Sequence, residues 1–170
     1  MSAARGDNFV LIGMPGAGKS TLGVLLAKRT ARDFVDTDVL LQARAGRSLQ
    51  AILDADGIDA FRRIEEETVL SLQCRNTVIA TGGSVVYGEA GMRHLRAAGV
   101  IVYFDVPLAV LEERLQDLPE RGVVGLAGRP FADLYAERER LYRRWADVRV
   151  ACGDAGHGET LARVLAALGC

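Results

Sequence analysis

The residues with most chemical content lie near the start of the chain, in Gly13-Met14-Pro15-Gly16-Ala17-Gly18-Lys19-Ser20. Their spacing is G-x-x-x-x-G-K-[ST], directly after an apolar run at residues 9–12 and directly before a helical pattern carried by Leu22, Leu25 and Leu26. Glycines let the backbone turn tightly enough for successive N–H groups to surround a phosphate, and the helix that follows adds its positive end. Lys19 then supplies a point charge for the outer phosphates, and the Ser20 hydroxyl is the expected ligand of Mg2+. A glycine-rich turn with no ligand is the competing account, and the flanking strand and helix patterns weigh against it. Asn8 and Asn76 are the only asparagines and neither precedes a lysine, so the Asn-Lys-x-Asp reader of a GTPase is missing. A large mechanochemical ATPase does not fit so short a chain. Phosphoryl transfer to a small molecule is the class that remains.

An acceptor needs its own groups, and acidic residues stand close by. Asp36-Thr37-Asp38 closes an apolar run at residues 34–39 that reads as a strand, whose alternation would place both carboxylates on one face. One could hold Mg2+ through water while the other accepts a hydrogen bond or a proton from an attacking hydroxyl. Thr81-Gly82-Gly83-Ser84 follows another apolar run, where paired glycines at a strand's carboxyl end let a ligand reach backbone N–H groups; a plain tight turn is the rival. In Phe61-Arg62-Arg63-Ile64-Glu65-Glu66-Glu67 the bland account pairs Arg62 and Arg63 with Glu66 and Glu67 along an exposed helix. Arg138, Arg140, Arg143 and Arg144 invite the same caution, since Tyr135, Leu141, Tyr142 and Trp145 give their helix an apolar side.

Holding such groups together requires a sheet. Short apolar runs at residues 9–12, 78–80 and 100–106, with weaker ones at 34–39 and 148–151, read as strands buried on both faces. Helical spacing fills the intervals: Ile64, Val69, Leu70 and Leu72; Val110, Leu111 and Leu115 after Pro107; and Leu161, Val164, Leu165 and Leu168 at the end. This alternation predicts a three-layer, doubly wound α/β fold with its ligands at the carboxyl ends of the strands. The 170 residues make one domain, residues 1–170, and with 49% hydrophobic residues it can build its own core. A net charge of −1 lacks the footprint of a protein that grips nucleic acid or an anionic membrane. Cys74, Cys152 and Cys170 form neither a disulfide framework nor a zinc spacing, and His94 and His157 have no partner pattern. These features give a cytoplasmic protein, with a monomer as the default. Residues 117–130, with Pro119, Gly122, Gly125, Gly128 and Pro130, break the alternation and read as a mobile flap or an ordinary surface loop.

In this order the motifs carry a resemblance to the shikimate kinase family across nearly the whole length. It rests on Gly13 to Ser20, Phe34-Val35-Asp36-Thr37-Asp38, Phe61-Arg62-Arg63-Ile64-Glu65, Ile79-Ala80-Thr81-Gly82-Gly83 and Glu137-Arg138-Glu139-Arg140-Leu141-Tyr142. The resemblance implies a nucleoside-monophosphate-kinase-like P-loop fold with five parallel strands, ATP with Mg2+ as donor, and the 3-hydroxyl of shikimate as acceptor. It implies that Gly13, Gly16, Ala17, Gly18, Lys19, Ser20 and Thr21 hold the nucleotide and that Arg114 lies against its adenine. Asp36 would assist magnesium and Asp38 would hold the reacting hydroxyl. Arg62, Arg138 and the backbone at Gly82 and Gly83 would take the substrate carboxylate. The chain departs from the family at Val123-Val124, where an Arg-Pro pair is usual, at Ser84, where a third glycine is usual, and near Ala151-Cys152 in the adenine loop. Arg121 is the expected substitute for the flap arginine, with Arg129 as the other candidate. A kinase for another small hydroxy acid such as homoserine is the alternative, and a catalytically silent nucleotide-binding module is the rival class.

Overall fold

A computed structural model describes residues 6–116 and 123–170. Along the chain run β1 (Asn8–Ile12), α1 (Lys19–Thr30), β2 (Asp33–Asp36), α2 (Thr37–Ala45), α3 (Leu49–Leu70), β3 (Thr77–Ala80), a 3-10 turn (Val85–Tyr87), α4 (Glu89–Ala98), β4 (Gly99–Asp105), α5 (Leu108–Gln116), α6 (Phe131–Trp145), β5 (Val148–Ala151) and α7 (His157–Leu168). The strands form one sheet in the order β2-β3-β1-β4-β5, every neighbouring pair parallel. Helices cover both faces, which gives the three-layer α/β architecture that the alternation predicts.

Position in the sheet explains the character of each strand. In the centre, β1 pairs with β3 and β4, and Val10, Leu11 and Ile12 are wholly buried among side chains from both helical layers. The outer strands differ from the expectation of burial on both faces. Every residue of β2 is exposed or half-buried, and in β5 only Val150 is buried, because each pairs on one side only. The order turns about β1, with β2 and β3 to one side and β4 and β5 to the other, so a crevice opens at the carboxyl ends of the central strands.

One local expectation is corrected. The apolar run at residues 34–39 is not a single strand: β2 ends at Asp36, whose carboxylate accepts from the backbone N–H of Asp38 and Val39 and so caps α2. Asp38 therefore sits in the first turn of a helix, and strand alternation is not what brings the two carboxylates to one region. Val39, which looked like a strand residue, faces solvent.

Beside the main core lies a smaller apolar cluster of Leu41, Ile52, Phe61 and Val124, joining α2, α3 and the segment before α6. Within α3 the backbone leaves helical geometry at Gly57, which divides the helix into a short first part and the longer part that carries Phe61, Arg62 and Glu65. The expected flap over residues 117–130 is described from Val123, where two turns lead to Pro130 at the head of α6; the rest of it, Arg121 included, lies outside the described residues.

Candidate functional site

The loop after β1 is built as its glycines suggest. Gly16 and Gly18 have φ of 81° and 91°, a region that side chains disfavour, and Gly18 caps α1 at its N-terminus. Ala17 N–H donates to the Met14 carbonyl at 3.1 Å, which closes the turn. Lys19 is buried, and its Nζ donates to the Gly13 and Met14 carbonyls at 2.7 and 2.8 Å, so the ammonium lies within the loop. Burial lowers its pKa to about 8, against the pull of the Asp38 carboxylate. Thr21 is exposed one residue past Ser20, and Arg114 of α5 donates to the Gly16 carbonyl at 2.8 Å, which fixes it at the rim of the same loop.

Ser20 Oγ donates to Asp36 Oδ2 at 2.5 Å, linking the start of α1 to the end of β2. With its proton directed at the carboxylate, the hydroxyl keeps oxygen lone pairs for a hard cation. A hydroxyl and a carboxylate suit Mg2+, which takes few protein ligands and keeps waters and phosphate oxygens. Among the described residues no group of three or more His, Cys, Asp or Glu could hold a metal by itself. The residues therefore fit a cation that arrives with a polyphosphate.

Across the crevice, Gly82 marks where the acceptor groups meet. A Cβ there would lie 2.6 Å from Asp38 Oδ1 and 2.7 Å from Glu65 Oε1, so only glycine lets the two carboxylates approach this backbone. Glu65 Oε2 accepts from Ser84 Oγ at 2.6 Å, while the buried Oε1 has no partner. Burial raises the pKa of Glu65 to about 7; the Ser84 hydrogen bond opposes that shift and the Asp38 charge adds to it. At Gly83 a Cβ would meet Pro15 of the phosphate loop at 2.7 Å and Arg138 Nη1 at 3.1 Å, so donor and acceptor sides touch here. Tyr142 donates to the Gly83 carbonyl at 2.6 Å and stacks on Tyr103, holding this turn against α6.

The arginines separate into two kinds. Arg138 is wholly buried; its Nη2 donates to the Val124 carbonyl, and Nε and Nη1 have no hydrogen-bond partner. Arg62 lies over the Tyr87 ring at 4.1 Å, with its buried Nε unpartnered, and Arg138 approaches the same ring at 5.5 Å. The bland pairing of Arg62 with Glu66 does not occur among the described residues, because Glu66 instead accepts from the Gly91 N–H. Arg143 does form such a pair with Glu139, so for that residue the bland account holds. Arg129, the second candidate for the flap, is engaged by Glu137 at 3.0 Å.

The structure thus brings Gly13, Gly16, Ala17, Gly18, Lys19, Ser20, Asp36, Asp38, Arg62, Gly82, Gly83 and Arg138 to one crevice. Sequence reasoning gave no site role to Glu65, Tyr87, Glu137 or Tyr142, although Glu65, Glu137 and Tyr142 lie in the motifs that carry the resemblance. Glu65 also stands three residues beyond Arg62 on one helix, whereas Tyr87 had no signal beyond its aromatic character.

The shikimate kinase family model matches residues 15–168. The chain belongs to the shikimate kinase family. A shikimate kinase 2 from an Enterobacter species is 40% identical over 141 residues, 80% of this chain and 81% of that protein. A shikimate kinase from Acinetobacter baumannii, solved in complex with shikimate, superposes with a TM-score of 0.86 at 26% identity, over 94% of this chain and 91% of the other. The shikimate kinase of Aquifex aeolicus gives 0.82 at 32% identity, over 95% of this chain and 96% of its own. Members of the family are ATP-dependent phosphotransferases that act on a hydroxyl group. No helix among the described residues is long and apolar enough to cross a membrane.

Proposed function

We propose that this chain transfers the terminal phosphoryl group of ATP to the 3-hydroxyl of shikimate. The observation that carries this reading is Arg138, a wholly buried guanidinium with two nitrogens lacking partners beside Gly83. A buried cation so placed is costly unless an anion meets it, and a planar carboxylate matches the guanidinium fork. Arg62 supplies a second fork from another helix, and half-buried Gly83 stands directly beside Arg138.

Each side chain then has a task. The amides around Gly16 and Gly18 and the ammonium of Lys19 bind and orient the outer phosphates. Ser20 and Asp36 would hold Mg2+, which when bound neutralises charge on the phosphates. Arg62 and Arg138 fix the acid, which turns its hydroxyl toward Asp38. Asp38 accepts the hydroxyl proton as the oxygen attacks, and Arg114 lines the adenine side of the loop. Ser84, where the family pattern has glycine, donates to Glu65.

The test is ADP release from MgATP with shikimate, homoserine, gluconate or no acceptor. Turnover with shikimate far above the others is expected; turnover with homoserine alone would overturn the acceptor, and ADP release without any acceptor would overturn the kinase reading. Asp38→Asn should lower kcat by about a hundredfold or more with nucleotide affinity retained. Arg138→Lys should raise KM for shikimate at least about tenfold, since an ammonium cannot make the paired bonds.

A further inference from the structure

Tyr87 ends the 3-10 turn that follows Ser84, and neither the sequence motifs nor the phosphoryl-transfer chemistry uses it. Its position is nevertheless firmly set. Val85 and Val86 beside it are buried, its backbone N–H donates to the Ser84 carbonyl, and Gly88 N–H donates to Val85. The turn meets α3 at Gly88, where a Cβ would lie 2.9 Å from Glu66 Oε1, and the same carboxylate takes the Gly91 N–H of α4 at 3.0 Å.

Two guanidiniums converge on this one ring. Arg62 comes from α3 with its carbon centre 4.1 Å from the ring centroid, and Arg138 comes from α6 at 5.5 Å. Like charges gathered at one ring repel, and both belong to long side chains with much rotamer freedom to lose. An aromatic face attracts both cations without competing for their N–H donors in the way a carboxylate would. The hydroxyl completes the arrangement: it donates to Glu137 Oε1, and Glu137 Oε2 holds Arg129 at 3.0 Å. Burial pushes the phenol's pKa up, so it stays a neutral donor at physiological pH.

We infer that Tyr87 is a positioning residue that sets the enzyme's preference for an acid: its ring holds Arg62 and Arg138 in the orientation that accepts a carboxylate, before the carboxylate arrives. This rests on the reading above that these two arginines bind the acceptor's carboxylate. Preorganisation of this kind acts on affinity for the charged group and leaves the transfer step untouched.

The test compares shikimate with its uncharged methyl ester in wild type, Tyr87→Leu, Tyr87→Met and Tyr87→Phe. In Tyr87→Leu, KM for shikimate should rise about tenfold while kcat and KM for ATP stay within about twofold. Binding of the methyl ester should not change, so the preference for the acid falls by the same factor. Tyr87→Met fills the space without a π face and should behave like leucine, which keeps the test valid if Tyr87→Leu folds poorly. Tyr87→Phe keeps the ring and should restore most of the preference. An unchanged acid-to-ester ratio in Tyr87→Leu and Tyr87→Met, an equal loss for both ligands, or failure of Tyr87→Phe to rescue would each overturn the inference while leaving the arginines' role intact. A wild type that does not distinguish acid from ester would overturn the arginines' role and this inference with it.

Discussion

Burial keeps Glu65 protonated into a pH range where an ordinary glutamate is charged, and its pKa of about 7 makes that a statement about stability. Between the ordinary value of 4.5 and about 7 the folded chain holds a proton that the unfolded chain has released. The contribution is fully present below 4.5 and is lost as pH rises through about 7, on the order of 3 kcal/mol in all. Glu65→Gln cannot titrate, so its melting temperature should stay flatter than that of wild type between pH 5 and 7.5; parallel curves would refute the assignment. Lys19 has the opposite sign. Its pKa is depressed to about 8, so the burial penalty is present below that pH and fades as the folded lysine deprotonates. Phosphate needs the charged form, and the apparent Kd for ATP should therefore rise about tenfold from pH 7 to 9. Calorimetric titration should find weaker binding in Lys19→Met and no pH dependence of this kind.

Among the elements, α1 is the one whose placement matters most, since Lys19 and Ser20 form its first turn. Gly23 lets it lie close on the sheet: a Cβ there would come within 2.7 Å of the Phe34 ring in β2 and 3.2 Å of Leu11 in β1. Alanine would gain helix propensity of about 1 kcal/mol, yet overpacking of this kind costs about 1–3 kcal/mol. Gly23→Ala should thus be net destabilising by about 1 kcal/mol, read as a lower urea midpoint with an unchanged slope. The same helix shows how closely elements share work here. Asp36 ends β2, caps α2 and binds Ser20 of α1, so one carboxylate fixes the angle among three elements.

At the scale of the molecule there are two apolar clusters of unequal size. The larger surrounds the central strands, while Leu41, Ile52, Phe61 and Val124 form a small one under α2 and α3. Few buried groups and a glycine break at Gly57 make this second region the easier to open. Amide hydrogen exchange should be faster in α2 and the first part of α3 than in β1 and β4. Shikimate should slow exchange in α3 near Arg62, whereas ADP should slow it at residues 13–20. Equal protection in both regions without ligand would refute the division.

The local sequence determined a good deal of this. The phosphate loop is contiguous, and its glycine spacing, its lysine and its flanking patterns are properties of neighbouring residues, so Gly13 to Ser20 were legible without a fold. The central strands were legible for the same reason, since burial on both faces leaves an unbroken apolar run. At one sheet edge the signal failed: the run through residues 34–39 is half strand and half helix, and the switch at Asp36 depends on a cap formed in three dimensions, whereas the other edge strand, at residues 148–151, lies where its apolar run put it. Arg138 and Arg143 stand on one helix and look alike in sequence, yet one is buried beside Gly83 and the other pairs with Glu139 on the surface. Which arginine meets the crevice, that Glu65 loses its water, and that Tyr87 lies between two cations were decided only by the packing of α3 and α6 against the turn at residues 82–87. Charge, burial and partner are properties of a position in space, and residues distant along the chain acquire them only when the sheet brings them together.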